Sequence, residues 1–187
     1  MLFEPLTIDG AYRIRLQLHQ DERGAFARTY CREQFRAHGI DDRVEQCNLS
    51  RNGRAGTLRG LHLQTEPHAE GKLVRCIRGR LFDAFVDLRP TSPTFLRHAT
   101  IELSSERDDQ VWIPAGCAHG FLTLEDDTEV LYQMSAAYAP QAARGYRWDD
   151  PTFGIVWPSE PTVISERDRE LPFWEPSSDS PTETASP

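Results

Sequence analysis

No stretch of this chain stays apolar and uncharged for the roughly 18 residues that a membrane-spanning helix needs. Residues Met1 to Gly10 lack the basic-then-apolar plan of a secretory signal. The four cysteines, Cys31, Cys47, Cys76 and Cys117, lie far apart and form no C-x-x-C. That spacing argues against a zinc site or a disulfide framework and predicts reduced, mostly buried thiols in a cytoplasmic protein. Neither G-x-G-x-x-G nor G-x-x-x-x-G-K-[ST] occurs, so the dinucleotide-binding and P-loop classes are unsupported. No internal repeat of about 20 to 50 residues is present, which excludes a solenoid. Positive charge is the minority sign: 21 Lys+Arg stand against 29 Asp+Glu, a net charge of −8. Such a balance speaks against a general binder of phosphate backbones, while a local basic pocket for a small anion remains compatible with it.

What is present is ordinary for a globular protein. The 187 residues are 39% hydrophobic and 27% charged, enough for one domain whose core needs no covalent staples. Composition shifts sharply only at the end, where EPSSDSPTETASP holds no aliphatic side chain larger than alanine. This predicts one domain over residues 1–174 and a disordered polar tail over 175–187, because such a tail cannot bury enough apolar surface to offset its ordering entropy.

One helix is predicted early in the chain, capped by Thr29, with Phe35 inward and Gly39 ending it. The rest reads as short strands. Phe82, Ala84, Val86 and Leu88 alternate with Asp83, Phe85 and Asp87, a period of two. A tight turn at Arg78-Gly79-Arg80 joins that strand to the preceding run Leu73–Ile77. Further strands are expected at Ala99–Leu103, Gln110–Ile113, His119–Leu124, Thr128–Met134 and Tyr146–Trp157. Many short strands without strand–helix alternation favour a β-sandwich or barrel over a parallel α/β sheet.

Two segments are dense in chemistry. In Gly56-Thr57-Leu58-Arg59-Gly60-Leu61-His62-Leu63-Gln64, a strand period places Gly60, His62 and Gln64 on one face. In Ile113-Pro114-Ala115-Gly116-Cys117-Ala118-His119-Gly120-Phe121, a Pro-x-Gly turn precedes His119. A strand histidine taken alone is most often structural; the flanking Arg59-Gly60 and Gln64 set His62 apart. Together the segments resemble the two motifs of the cupin superfamily. The second fits P-x-G-x-x-H directly. The first departs from H-x-H, with Gln64 in place of the second histidine and Lys72 in place of the acidic ligand seven residues before Gly79. A protonated ammonium cannot ligate a metal, so His62 is left with a free nitrogen and is available as a general base.

The chain further resembles the dTDP-4-dehydrorhamnose 3,5-epimerase family from about Phe3 to Pro172. The matching stretches, in order, are Asp21-Glu22-Arg23-Gly24 with Phe26, then Gln46-Cys47-Asn48-Leu49-Ser50, then Leu58 to Gln64. Gly71-Lys72-Leu73-Val74-Arg75 follows, then Val86-Asp87-Leu88-Arg89 with Ser92-Pro93-Thr94. Ile113 to Phe121 and Trp148-Asp149-Asp150-Pro151 ahead of Trp157-Pro158 complete the set. The resemblance implies a double-stranded β-helix (cupin jelly roll), mainly β with a few short helices. It implies a cytoplasmic isomerase that inverts C3 and C5 of a dTDP-4-keto-6-deoxyhexose in L-rhamnose or related deoxysugar biosynthesis, with no metal and no cofactor. It also implies a homodimer with exchanged N-terminal strands, and no nucleic-acid or membrane partner.

By the same resemblance His62 is the base, Asp168 its orienting carboxylate, Tyr132 the acid on the opposite face and Lys72 the cation that steadies the enolate oxygen. Gln46, Asn48, Arg59 and His119 line the sugar and diphosphate. Arg23 and Phe26 reach the nucleotide of the partner subunit, and Tyr138 lies near the sugar. The pattern breaks at Arg28 and Ala143, where the family often has acidic residues near the nucleotide or the pocket rim. Inversion at C3 alone or C5 alone, another nucleotide, a metal-dependent cupin and a non-catalytic sugar-nucleotide binder are the alternative readings.

Overall fold

The computed structural model describes residues 1–41 and 43–176. Its elements are β1 (Leu2–Pro5), β2 (Tyr12–Arg15), β3 (Leu18–Asp21), β4 (Gly24–Ala27), α1 (Arg32–Ala37), β5 (Gln46–Asn52), β6 (Thr57–Gln64) and β7 (Lys72–Arg78). Then follow β8 (Arg80–Asp87), β9 (His98–Ser104), β10 (Asp109–Ile113), β11 (Cys117–Thr123), β12 (Thr128–Met134), β13 (Ala143–Gly145), β14 (Val163–Ile164) and α2 (Glu166–Arg169). One sheet runs β1-β2-β10-β7-β12-β5; the other runs β13-β6-β11-β8-β9, with β14 parallel to β6. All other pairings are antiparallel. The result is the jelly roll expected from the sequence.

The main core lies between the two sheets. Val74, Cys76, Val111, Ile113 and Val130 of the first sheet meet Leu81, Phe85, Leu103, Cys117 and Phe121 of the second. β-Branched and aromatic residues suit this position because they fill a pleated surface without polar atoms. The outer faces are covered unequally. Phe35 of α1 packs with Ile14, Leu73 and Trp112 on the first sheet. Leu61, Val86 and Ala118 of the second sheet are covered by Tyr146, Phe153, Ile155 and Trp174.

Two local expectations are corrected, and one is met in another setting. Thr29 does not cap α1: Cys31 holds the N-cap position and makes no side-chain cap bond. The helix instead draws on Phe35 and on its C-terminal end, where Gly39 N–H donates to Arg36 O and Ile40 N–H to Phe35 O, closing a Schellman motif. Residues 78–80 do form a tight link, but it carries the chain from one sheet to the other rather than folding a hairpin, since β7 and β8 lie in different sheets. Residues 146–157 are not a strand. Asp150 Oδ1 accepts the Thr152 N–H at 2.8 Å, and Pro151 has no N–H to give to a ladder, so the segment lies as irregular chain over the second sheet. The tail expected at 175–187 lies, beyond Pro176, outside the described residues.

Candidate active site

β6 and β11 run side by side, and the register sets His62 directly opposite His119. The pairing slips between His119 and Phe121, where the two backbones come close together. A methyl group on Gly60 would sit 2.5 Å from the Gly120 Cα, and Gly60 has φ +119°, so only glycine fits there. The C-terminal segment then returns to the same strand. Val163 and Ile164 pair with Thr57 and Leu58, and the Ser165 hydroxyl accepts the Asp168 N–H at 3.0 Å as the N-cap of α2. This turn sets the Asp168 carboxylate over β6. Oδ1 lies 2.7 Å from His62 Nε2, and Oδ2 accepts the Gly60 N–H at 3.3 Å.

Burial alone would raise the Asp168 pKa, but the bonds from His62, Gly60 and Ser165 outweigh it and hold the carboxyl below its usual range. An ionised carboxylate only accepts hydrogen bonds. His62 Nε2 therefore carries the proton of the neutral ring, and Nδ1 holds the lone pair of a base.

The opposing wall comes from the other sheet. Tyr132 of β12 lines the same cavity as His62. Burial, reinforced by the Asp83 carboxyl, pushes its phenol well above the ordinary range, so it stays protonated. Lys72, at the start of β7, is only 6% exposed. Its ammonium reaches across the sandwich to donate to His62 O at 2.9 Å and lies 3.3 Å from Glu70 Oε1. The cavity encloses about 310 Å³ and is also lined by Asn48, Arg59, His119, Tyr138 and Arg144. That volume suits a sugar ring, and a nucleotide would have to lie beyond it.

Of the eleven residues singled out in the sequence, seven line this cavity: His62, Tyr132, Lys72, Asn48, Arg59, His119 and Tyr138. Asp168 stands immediately behind His62. Gln46 sits at the rim, its Oε1 accepting the Tyr138 N–H at 2.8 Å. Arg23 and Phe26 are not brought to it; they occupy the separate β3–β4 hairpin, where Phe26 is 73% exposed. Ala143 lines the cavity and Arg28 does not. Gln64, which stands where the second cupin histidine would be, is consumed by structure: it donates to His68 O and Ala137 O and accepts the Ala139 N–H. His119 Nε2 and His62 Nε2 each meet a carboxylate instead of converging. Among the described residues no three His, Cys, Asp or Glu side chains group as metal ligands.

Sequence reasoning missed several participants. Asp83, fully buried on β8, meets His119 Nε2 at 2.8 Å. Asn52 Oδ1 accepts from Arg59 Nε at 2.8 Å and so orients that guanidinium. Arg144 and Arg167 add cations to the cavity wall. One signal was available: the period-two alternation that puts Asp83 on the face of Phe85.

A base held by a carboxylate on one sheet, facing a protonated phenol and an ammonium from the other, defines an acid–base enzyme of the jelly-roll class. The model of the dTDP-4-dehydrorhamnose 3,5-epimerase family matches residues 5–175. The chain is 46% identical to the dTDP-4-dehydrorhamnose 3,5-epimerase of Sinorhizobium fredii over 92% of its own length and 89% of that protein's. It is 42% identical to that of Methanothermobacter thermautotrophicus over 96% of both chains. The crystal structure of dTDP-4-dehydrorhamnose 3,5-epimerase from Elizabethkingia anophelis superposes with a TM-score of 0.90 at 33% identity, covering 93% of this chain and 96% of that one. The chain belongs to the dTDP-4-dehydrorhamnose 3,5-epimerase family, a family of isomerases.

Proposed function

We propose that this protein inverts C3 and C5 of a dTDP-4-keto-6-deoxyhexose by proton transfer, supplying L-rhamnose or a related deoxysugar. The C4 ketone acidifies the C–H bonds on both neighbouring carbons. His62 takes the proton from one of them, and the bonding pair moves into an enolate whose negative charge rests on the C4 oxygen. Lys72 presents a positive charge to that oxygen. Tyr132 returns a proton to the same carbon from the far wall, which inverts the centre. The imidazolium and the phenolate then reset through solvent. Asp168 orients His62 and stabilises its protonated form. Arg59, Asn48 and His119 hold the sugar and diphosphate, with Gln46 and Tyr138 at the rim. The observation that carries this reading is the projection of His62 and Tyr132 into one cavity from opposite sheets.

The test is proton NMR of dTDP-4-keto-6-deoxyglucose with the enzyme in deuterium oxide. Deuterium entering both C3 and C5 is expected. Label at one carbon only would make the protein a mono-epimerase, and no exchange at either would overturn the reading.

The assembly is proposed as a cytoplasmic homodimer that exchanges N-terminal strands. The β3–β4 hairpin pairs with neither main sheet, and its residues are almost all exposed. Placed across a dimer, Arg23 and Phe26 reach the nucleotide in the partner's cavity. Phe26→Ala should then raise KM about tenfold or more with little change in kcat. An unchanged KM would remove the hairpin from the site.

A further inference from the structure

Lys72 is the sole lysine of a chain with 21 Lys+Arg residues; every other cation is arginine. The one position that keeps an ammonium is buried in the cavity. A guanidinium spreads five donors in a planar fork, whereas an ammonium is a compact point charge with three donors that can be counted. One goes to His62 O at 2.9 Å, and Glu70 Oε1 stands 3.3 Å from the nitrogen as its ion-pair partner. No other protein acceptor meets the ammonium among the described residues. Glu70 is itself buried and lines the cavity, and its Oε2 has no hydrogen-bond partner. Lys72 is the only cation with which it forms an ion pair among the described residues.

We propose that Glu70 is a positioning residue for the epimerisation proposed above: it keeps the Lys72 ammonium charged inside the cavity and turned so that its remaining N–H meets the C4 oxygen of the substrate. The proposal rests on that reading of the reaction. Burial lowers the Lys72 pKa, and Glu70 is the foremost group opposing this. The other titratable groups around the ammonium offer less. Cys117 is a buried thiol pushed up to about 12 and carries no charge near neutrality. Asp83 is shared with His119, and burial raises its carboxyl. Tyr132 remains a neutral phenol. His62 offers Lys72 its carbonyl, while its ring is turned to Asp168. Glu70 therefore acts through Lys72, and its loss should appear as a changed pH dependence rather than as a lost nucleophile or acid.

The single lysine makes the test direct. Protein labelled with ¹³C,¹⁵N-lysine gives one side-chain signal, and its titration reads Lys72 without assignment or substrate. In Glu70→Gln the midpoint is expected to fall by about one pH unit or more. The alkaline limb of kcat should move down by the same amount while KM changes little. Glu70→Asp, whose carboxylate stands farther from Nζ, should show a smaller fall in both. It carries the same test should the glutamine variant fail to fold. An unmoved lysine midpoint and an unmoved alkaline limb in a folded variant would overturn the proposal. So would borohydride reduction, in the presence of the keto-sugar, that leaves the sugar attached to Lys72 as a secondary amine. That product would mean that a neutral amine had condensed with the ketone with loss of water. Because the NMR titration needs no substrate, absence of C3 and C5 exchange in the wild type would refute the epimerase reading separately from this one.

Discussion

Single side chains carry the chemistry, and their variants should separate cleanly from folding effects. His62 is partly exposed at the cavity wall and Tyr132 lies at its far side. His62→Ala and Tyr132→Phe are each expected to lower kcat by about 10²-fold or more while leaving the far-UV spectrum unchanged. A variant with wild-type turnover would cancel the role of the residue replaced. Asp168 adds a prediction about acid. Its folded pKa lies below its unfolded value, so its pairing contributes stability that is complete above the usual carboxylate range and lost as pH falls through the folded value. On acidification below about pH 4, the wild-type melting temperature should fall more steeply than that of Asp168→Asn; parallel curves would contradict the pairing. Arg59, His62 and His119 were legible because Pro114-x-Gly116-x-x-His119 and Arg59-Gly60-Leu61-His62 are compact motifs, whereas Tyr132, Lys72, Asp168, Asn48, Gln46 and Tyr138 came only with the family resemblance. Glu70 and Asn52 were not legible. Each acts on a motif residue from a place that only the folded chain defines, and an isolated Glu or Asn is by default a solvated surface residue.

At the scale of elements, the strand period was readable but not the face it turns inward. Along β8, Leu81, Asp83, Phe85 and Asp87 are all fully buried, as are Ala84 and Val86 on the other side. A central strand covered on both faces hides its alternation, and two carboxylates among the buried residues would suggest the wrong side. Asp87 is accommodated by Arg89, Ser92 and Thr94, which all donate to it and fasten the loop after β8. Asp87→Asn should cost about 1–3 kcal/mol in denaturant unfolding, with kcat per folded molecule unchanged, since Asp87 does not line the cavity. Gly60→Ala is expected to destabilise by about 1–3 kcal/mol and to lower activity as well, because it forces β6 from β11 beside His62; a neutral substitution would mean that the strands can part without harm. The misread strand at residues 146–157 has the same origin as the hidden face of β8. Its aromatic residues are there to cover a sheet, and hydrophobic pattern alone does not distinguish covering a sheet from joining one.

For the molecule as a whole, the two layers have different duties. The second sheet supplies His62, Arg59 and His119 and is closed on its outside by the C-terminal segment. The first supplies Tyr132, Lys72 and Asn48. Around its outer side Ile77 and Leu49 remain exposed, and a hollow lined by Arg75, Leu131 and Gln133 stays open. A second copy is the occupant proposed here, and sedimentation velocity should give a dimer mass at micromolar concentration; a monomer there would count against it. The bond from Lys72 to the His62 carbonyl joins these two layers at the cavity. It is a strut as well as a charge, setting the gauge of the gap in which base and acid must face each other. Shortening or neutralising that side chain would slacken the spacing and remove the cation in one stroke. The rate lost in any Lys72 variant would therefore measure a mechanical and an electrostatic deficit together.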